Sequence, residues 1–224
     1  MTKSIQIALD GPAAAGKSTI AKIVAEKLGY IYIDTGAMYR AITLKAIREG
    51  INLESGEEAG RLLADTRIDL QPSQDGQLVF LDGKNVTEDI RSQNVTSSVS
   101  MMAAHESVRK QMVKLQQILA SGRGVVMDGR DIGTQVLPNA ELKVFMSATV
   151  EERARRRFEE NKKRGIDTPL DDLQKEIAAR DKMDSEREVS PLRQAQDALY
   201  LDTTNLSIVD AASEILKLAE ERLD

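Results

Sequence analysis

One nine-residue stretch near the start of the chain constrains the fold more than any other. It matches G-x-x-x-x-G-K-[ST] and lies between an apolar run and a segment with helical spacing of apolar residues. In that context backbone N–H groups and a helix N-terminus face a bound phosphate. The stretch, which we call the phosphate loop, consists of Gly11, Pro12, Ala13, Ala14, Ala15, Gly16, Lys17, Ser18 and Thr19. It predicts a nucleoside triphosphate site, with Lys17 on the β- and γ-phosphates and the Ser18 hydroxyl on Mg²⁺.

Composition limits the classes of partner. The 224 residues are 41% hydrophobic and 30% charged, with a formal net charge of −5. An acidic globular chain is not expected to bind nucleic acid or an anionic membrane as its main partner. The absence of cysteine excludes disulfides, thiolate metal sites and a cysteine nucleophile. The first apolar run, residues 5–9, is too short for a signal peptide or a membrane span. We therefore expect a cytoplasmic protein.

The rest of the chain alternates strand and helix patterns. Five apolar runs predict strands, at residues 5–9, 30–33, 124–128, 142–146 and 198–202. Crossover helices between them predict an α/β fold, a doubly wound five-stranded parallel sheet with helices on both faces. Ligands bind such sheets at the carboxyl ends of the strands, where Asp10, Asp34, Asp128 and Asp202 lie. Two roles remain open for Asp34 and Asp128: each either holds Mg²⁺-bound water or only caps a helix. Asp10 could equally order the phosphate loop.

Residues 51–94 interrupt this alternation. Two β segments at 68–70 and 78–81, with turns at 72–76 and 82–84, predict a small antiparallel meander after a short helix. The helix patterns have their own boundaries. Residues 38–49 predict a helix that ends at Gly50, and residues 92–120 predict one or two helices with a break near His105. Capping patterns predict three more helices, which start at Thr149, Thr168 (with Pro169 as first helical residue) and Ser207.

A phosphate loop does not identify the phosphate acceptor. The Asn-Lys-x-Asp motif of guanine-nucleotide-binding proteins is missing, since residues 161–164 lack the acid, and so is the signature loop of transport ATPases. Charged residues instead follow the second and third strands, in residues 34–40 and 128–131. Two further groups lie on single helix faces: Arg180, Asp184 and Arg187, and before them Arg153, Arg156 and Arg157. Together they predict a second, anionic site for an acceptor.

The motifs GPAAAGKST, DTGAMYR, DGRDIGT, EERARRR and ARDKMDSER resemble, in this order, those of the bacterial cytidylate kinases, in the nucleoside monophosphate kinase group. The resemblance covers nearly the whole chain, including the insert. It implies transfer of the γ-phosphoryl group of ATP to CMP or dCMP, with Mg²⁺. It also implies one domain over residues 1–224 with three parts: a core (1–34, 120–150 and 188–224), an acceptor-binding region with the insert (35–119), and a helical lid (151–187).

The same resemblance implies residue roles. The monophosphate is held by Thr35, Arg40, Arg130 and Arg187. The ribose is held by Arg180 and Asp184, and the cytosine by Ser100, Arg109 and Asp131. The catalytic set is Lys17, Arg130, Arg187, Arg153 and Arg157. The lid arginines, with Arg156 and the basic run at residues 162–164, close over the triphosphate and exclude water. Arg155, and Arg164 within that basic run, are expected to be solvated surface charges, and His105 is expected to be an ordinary helix residue.

Alternatives remain open from the residues alone. A carboxylate at Asp131 would pair with the cytosine N4 amino group but not with the uracil oxygen, which favours CMP over UMP. A UMP/CMP kinase of broader choice, and a regulatory nucleotide-binding module without phosphotransfer, are the alternatives. The polar helix surfaces favour a monomer. Residues 13–15 are alanine where glycine or serine often occurs. Alanine still offers its backbone N–H, so phosphate binding is expected to survive if these positions do not need positive φ.

Overall fold

A parallel sheet forms the centre of the molecule, for which the computed structural model describes residues 4–73, 76–122, 124–163 and 165–223. The eight strands are β1 Gln6–Asp10, β2 Ile31–Asp34, β3 Ile68–Ser73, β4 Gly76–Leu81, β5 Lys84–Asn85, β6 Val125–Gly129, β7 Leu142–Ser147 and β8 Leu199–Asp202. Five of them form the sheet in the order β2-β6-β1-β7-β8, and all its pairings are parallel. The predicted doubly wound parallel sheet is confirmed, because β1 lies in the middle and the chain crosses to both sides of it.

Helices cover both faces of this sheet. They are α1 Lys17–Leu28, α2 Thr35–Glu49, α3 Gly56–Ala64, α4 Gln93–Ala104, α5 Glu106–Ala120, α6 Val150–Lys163, α7 Leu170–Glu186 and α8 Ile208–Leu223. Apolar residues of α1 and α8 form one buried cluster with β1, β6 and β7. The opposite face is covered by residues of α5 and by a π-helical turn at Ile132–Val136. Because β1, β2 and β6 are parallel neighbours, their carboxyl ends lie together at one edge of the sheet.

The insert after α2 is a separate three-stranded antiparallel sheet in the order β3-β4-β5. The predicted meander is confirmed, but the predicted turn at 72–76 is wrong in extent. Pro72 pairs with Gln77 and Ser73 with Gly76, so both strands run further than the pattern suggested. Pro72 and Gly76, usual turn residues, are here at the ends of strands. The residues that join β3 to β4 lie outside the described part of the chain.

Helix starts differ from the sequence predictions in two places. Helix α2 begins at Thr35 instead of residue 38, because the Asp34 side chain accepts from the Ala37 N–H at 2.8 Å and caps it directly after the strand. Helix α7 begins at Leu170, with Pro169 as N-cap and no side-chain cap bond, so Thr168 is not its cap. The break at His105 is confirmed, since this residue separates α4 from α5. No helix within the described ranges is long and apolar enough to cross a membrane.

Candidate active site

The phosphate loop joins β1 to α1 through backbone shapes that few residues adopt. Gly11 lies at φ 147°, and a Cβ there would overlap the carbonyl oxygen of Met146 on β7. Gly16, directly before α1, lies at φ 88°. Ala14 also has positive φ, at 59°, a left-handed conformation that is strained for a residue with a side chain. The condition of no positive φ is therefore met at Ala13 and Ala15 but not at Ala14.

Lys17 begins α1 and is buried under the loop. Its Nζ donates to the carbonyl oxygen of Pro12 at 2.6 Å. Burial, and next the positive charge of Arg130, lower the pKa of Lys17 to about 7; Arg180 adds to this effect. The three cations are therefore close enough to repel one another. Such a grouping favours a bound anion in the space that the phosphate loop and these two arginines border.

Asp128, at the end of β6, lies beside the loop. Its two carboxylate oxygens accept from the Ser18 hydroxyl at 2.8 Å and from the Tyr32 hydroxyl at 2.9 Å. Burial, followed by the charge of Asp34, raises the pKa of Asp128 to about 6. The hydroxyl of Ser18 and two acidic side chains thus bring hard oxygen donors to one corner of the site, the ligand type that Mg²⁺ prefers.

Asp10 orders a different loop. Its carboxylate oxygens each accept one backbone N–H, from Ile132 and from Gly133, both at 2.7 Å. Burial raises the pKa of Asp10 to about 6 although these two bonds favour the charged form. Asp10 thus fixes the segment that follows Asp131, and not the phosphate loop that the sequence left open for it.

A cluster of guanidinium and carboxylate groups faces the phosphate loop. Arg130 Nε donates to Asp184 Oδ2 at 2.9 Å, and the Ser100 hydroxyl donates to Asp184 Oδ1 at 3.4 Å. Burial, and then the charge of Arg130, lower the pKa of Arg180 to about 10. Several buried polar atoms of this cluster have no hydrogen-bond partner: Nε of Arg40, Arg109 and Arg180, and Nη2 of Arg187. Unpaired buried donors of one sign are what an anion-binding site presents before its ligand arrives.

Arg109 and Asp131 form a buried ion pair at the far end of this cluster. Arg187 Nη2 lies 3.7 Å from the other oxygen of Asp131. The Tyr39 ring lies under Arg109, with 5.4 Å between its centroid and the guanidinium carbon, and the Tyr39 hydroxyl is buried without a partner. Ser100 contacts Asp184 and not this pair. The predicted cytosine residues are thus neighbours, with Ser100 on the side of the predicted ribose residues.

The predicted monophosphate residues come from three places in the chain: Thr35 and Arg40 from α2, Arg130 from the end of β6 and Arg187 from the end of α7. Arg40 on α2 pairs with Asp34 at 3.0 Å, so Asp34 holds an acceptor-side arginine as well as capping its helix. The buried Thr35 hydroxyl donates to the backbone carbonyl of Asp128 at 2.7 Å. Arg187, just past α7, donates through Nε to the Ser190 carbonyl at 2.6 Å. These bonds hold the side chains in place around the phosphate loop.

The lid arginines divide into different environments. Arg153 is buried and donates to Asp181 and to the carbonyl of Ala13 in the phosphate loop. Arg156 reaches Thr203 and, at 3.5 Å, the carbonyl of Ala15. Arg157 pairs with Glu160 at 3.2 Å.

The remaining predictions on this helix concern surface charges. Arg155 is 61% exposed and pairs with Glu152, which confirms the expected solvated charge. Arg164, and with it the end of the basic run 162–164, lies outside the described residues. His105 donates from Nε2 to the Leu53 carbonyl at 2.7 Å, which ties the joint between α4 and α5 to the chain before α3.

A phosphate loop on a doubly wound parallel sheet, with guanidinium groups facing the loop, defines a P-loop kinase. The sequence model described as "Cytidylate kinase" matches residues 7–221. The cytidylate kinase of Lysinibacillus sphaericus (strain C3-41) is 67% identical over 223 residues, 100% of both chains. That of Bacillus subtilis (strain 168) is 60% identical over 222 residues, 99% of both chains. The chain belongs to the cytidylate kinase family, as its motifs predicted.

One solved structure illustrates how far the fold extends beyond the family. An uncharacterized protein from Eubacterium ventriosum ATCC 27560 aligns with a TM-score of 0.53 and 12% identity, over 98% of this chain and 99% of that one. This likeness concerns the fold alone. Within the described ranges no group of three or more His, Asp or Glu side chains is placed to hold a metal ion.

Sequence reasoning missed several residues of the site. Tyr32, Thr203 and Gln77 each bond to site elements, yet none belongs to a motif that we used. Thr203 is buried and donates to the carbonyls of Ala15 and Ser147. Its position directly after a predicted strand end was a usable signal. For Gln77, in the insert, no such signal exists in the sequence.

Proposed function

We propose that the chain transfers the γ-phosphoryl group of ATP to the phosphate of CMP or dCMP and releases ADP with CDP or dCDP. The observation that carries the proposal is that Asp128, two residues before Arg130, accepts from the Ser18 hydroxyl of the phosphate loop at 2.8 Å and, through its backbone carbonyl, from the Thr35 hydroxyl at 2.7 Å. The donor loop and the acceptor arginines thus border the same space. Two polyanions that repel each other need such flanking cations to come within reacting distance.

The chemistry needs little besides positioning. An oxygen of the acceptor phosphate attacks the γ-phosphorus, and the bond from that phosphorus to the β–γ bridging oxygen breaks as ADP leaves. The attacking oxygen is already anionic, so no general base is required. Charge in the loose transition state lies on the peripheral oxygens, where Lys17 on the donor side and Arg130 and Arg187 on the acceptor side would stabilise it. The lid arginines Arg153 and Arg157 would exclude water.

Acceptor binding follows the cluster described above. Thr35, Arg40, Arg130 and Arg187 would hold the phosphate, and Arg180 with Asp184 the ribose. Asp131 would accept from the cytosine N4 amino group, while Arg109 donates to N3 or O2. Their buried pairing supports this assignment, because each holds the other in orientation. Ser100, bonded to Asp184, would complete the site from the ribose side.

Mg²⁺ fits the oxygen donors at Ser18. We propose that the Ser18 hydroxyl binds the ion directly and that Asp128 and Asp34 hold its water ligands. Mg²⁺ is commonly held by one or two protein oxygens plus phosphates and water, which matches this donor set. When bound, it would neutralise part of the phosphate charge of ATP.

The oligomeric state, the cellular location and the division into regions are proposals as well. The chain would act as a monomer in the cytoplasm, without a nucleic acid or membrane partner, which its net charge of −5 supports. Core, acceptor region and lid would divide as predicted, at residues 34, 119, 150 and 187. Sedimentation equilibrium at micromolar protein concentration measures the molar mass in solution and so tests the proposed monomer.

A coupled ADP-release assay over CMP, dCMP, UMP, AMP and GMP tests the function. CMP and dCMP are expected to give the highest kcat/KM, with UMP about ten- to a hundredfold lower because its O4 would face Asp131 unpaired. Equal rates with all five acceptors, or no ADP with CMP, would overturn the proposal. Tight ATP binding without ADP formation for any acceptor would favour the regulatory module.

A further inference from the structure

Strand β2 forms one edge of the parallel sheet and pairs with β6. Of the insert residues that the structure describes, Gln77 bonds through its side chain to the β2 backbone. Gln77 Nε2 donates to the Tyr32 carbonyl at 2.6 Å, and Gln77 Oε1 accepts from the Asp34 N–H at 3.2 Å. The carboxamide thus makes both bonds of a strand pairing, one as donor and one as acceptor.

A second contact, between Gly76 and α1, also holds the insert against the edge of β2. Gly76 precedes Gln77, and a Cβ at Gly76 would lie only 2.6 Å from Lys22 Nζ on α1. Lys22 Nζ in turn lies 5.8 Å from the centroid of the Tyr32 ring. The Lys22 end is flexible, so it is the φ of 119° at Gly76 that favours glycine there, and the approach brings the insert against both α1 and β2.

The two β2 residues bonded to Gln77, Tyr32 and Asp34, have side chains that contact opposite halves of the site. The Tyr32 hydroxyl donates to Asp128, which also accepts from Ser18 on the donor side. The Asp34 carboxylate caps α2 and pairs with Arg40 on the acceptor side. Any displacement of the β2 edge would move a donor-side carboxylate and an acceptor-side arginine together.

We propose that Gln77 is a positioning residue for phosphoryl transfer, which aligns the donor and acceptor halves through the edge of β2. The inference rests on the proposed function and deepens it. Only a side chain with one donor and one acceptor in planar arrangement satisfies both backbone groups. Glutamate keeps the acceptor and loses the donor, and methionine loses both at similar volume.

The test compares Gln77→Met with Gln71→Met, a matched change at an exposed residue of the neighbouring strand β3. Gln77→Met is expected to lower kcat by about tenfold and raise KM for CMP, because small misplacements of reacting groups are costly in rate. Its melting temperature should stay well above the assay temperature. Gln71→Met should match wild type in kcat and in both KM values.

Gln77→Glu separates the effects of the two Gln77 hydrogen bonds. It also provides a test if Gln77→Met folds poorly. It keeps the bond to the Asp34 N–H and loses the one to the Tyr32 carbonyl, so KM for MgATP should rise more than KM for CMP. In Gln77→Glu/Tyr32→Phe the losses should be less than multiplicative, since both changes act on Asp128.

Wild-type kcat and KM values in a folded Gln77→Met or Gln77→Glu enzyme would overturn the inference. So would equal losses in Gln71→Met, which would indicate a general effect of the insert. Failure of the proposed function is distinguishable, since wild-type protein would then release no ADP with CMP.

Discussion

Arg153 on α6 donates through Nη2 to Asp181 on α7 at 2.6 Å. The same guanidinium donates through Nη1 to the Ala13 carbonyl at 3.1 Å, and Arg153 is 4% exposed. The pair therefore joins the phosphate loop to the helix that carries Arg180 and Asp184. An arginine expected on sequence grounds to be a lid residue has, in this structure, two partners that tie the lid helices to the phosphate loop.

Asp181→Asn should destabilise the fold through this pair. The change leaves the buried guanidinium of Arg153 without its carboxylate, so the free energy of unfolding should fall by about 1–3 kcal/mol. Urea unfolding followed by circular dichroism measures it. The control is Arg155→Gln, which removes an exposed ion pair on α6, the helix of Arg153. It should change the free energy of unfolding by less than about 0.5 kcal/mol. Similar values for the two variants would contradict the assigned role.

Asp131→Asn should change base selectivity. An amide in place of the carboxylate can donate to the uracil O4, so kcat/KM for UMP relative to CMP should rise by about tenfold or more. The absolute rate with CMP should fall, because Arg109 loses its buried partner. Asp131→Ala is the control: it removes the acceptor and offers uracil no donor, so its ratio should move less. The coupled assay with both acceptors gives each ratio.

Asp10 should make stability depend on pH in an unusual direction. Burial raises its pKa from 3.8 to about 6, so between these values the folded state binds a proton that the unfolded state lacks. The contribution of Asp10 to stability therefore falls as pH rises from 4 towards 6, by about 3 kcal/mol in total. Asp10→Asn removes this dependence, so the variant should gain stability relative to wild type between pH 4 and pH 7.

Urea unfolding of both proteins at the two pH values gives that difference. The same difference in unfolding free energy at pH 4 and pH 7 would show that the pKa of Asp10 is not raised in the folded state.

Ala14→Gly should relieve backbone strain in the phosphate loop. Ala14 lies at φ 59°, and left-handed backbone costs a residue with a Cβ about 1–2 kcal/mol, which the larger unfolded-state entropy of glycine partly offsets. The free energy of unfolding should rise by about 0.5–1 kcal/mol. Ala15→Gly, at a buried residue without positive φ, should lower it. A loss of stability in Ala14→Gly would contradict the prediction.

Local patterns predicted much of the fold because they act within a few residues. Residues 5–9 and 124–128 were apolar enough to indicate buried strands, and β1 and β6 lie within one residue of them. The start of α2 was misplaced because Asp34 both ends a strand and caps the next helix, which leaves no loop for the pattern to reveal. Pro72 was read as a turn residue because its pairing with Gln77 depends on another strand.

What the sequence determined by itself was the phosphate loop, the order of strands and helices, and the set of charged residues available at the strand ends. These depend on spacing and on the conformations that glycine and apolar runs allow. Only the tertiary structure decided the partners: Arg153 with Ala13 and Asp181, and Gln77 with the edge of β2. Such pairings join residues far apart in the chain, and they form only where packing of the whole core brings buried donors and acceptors within bonding distance.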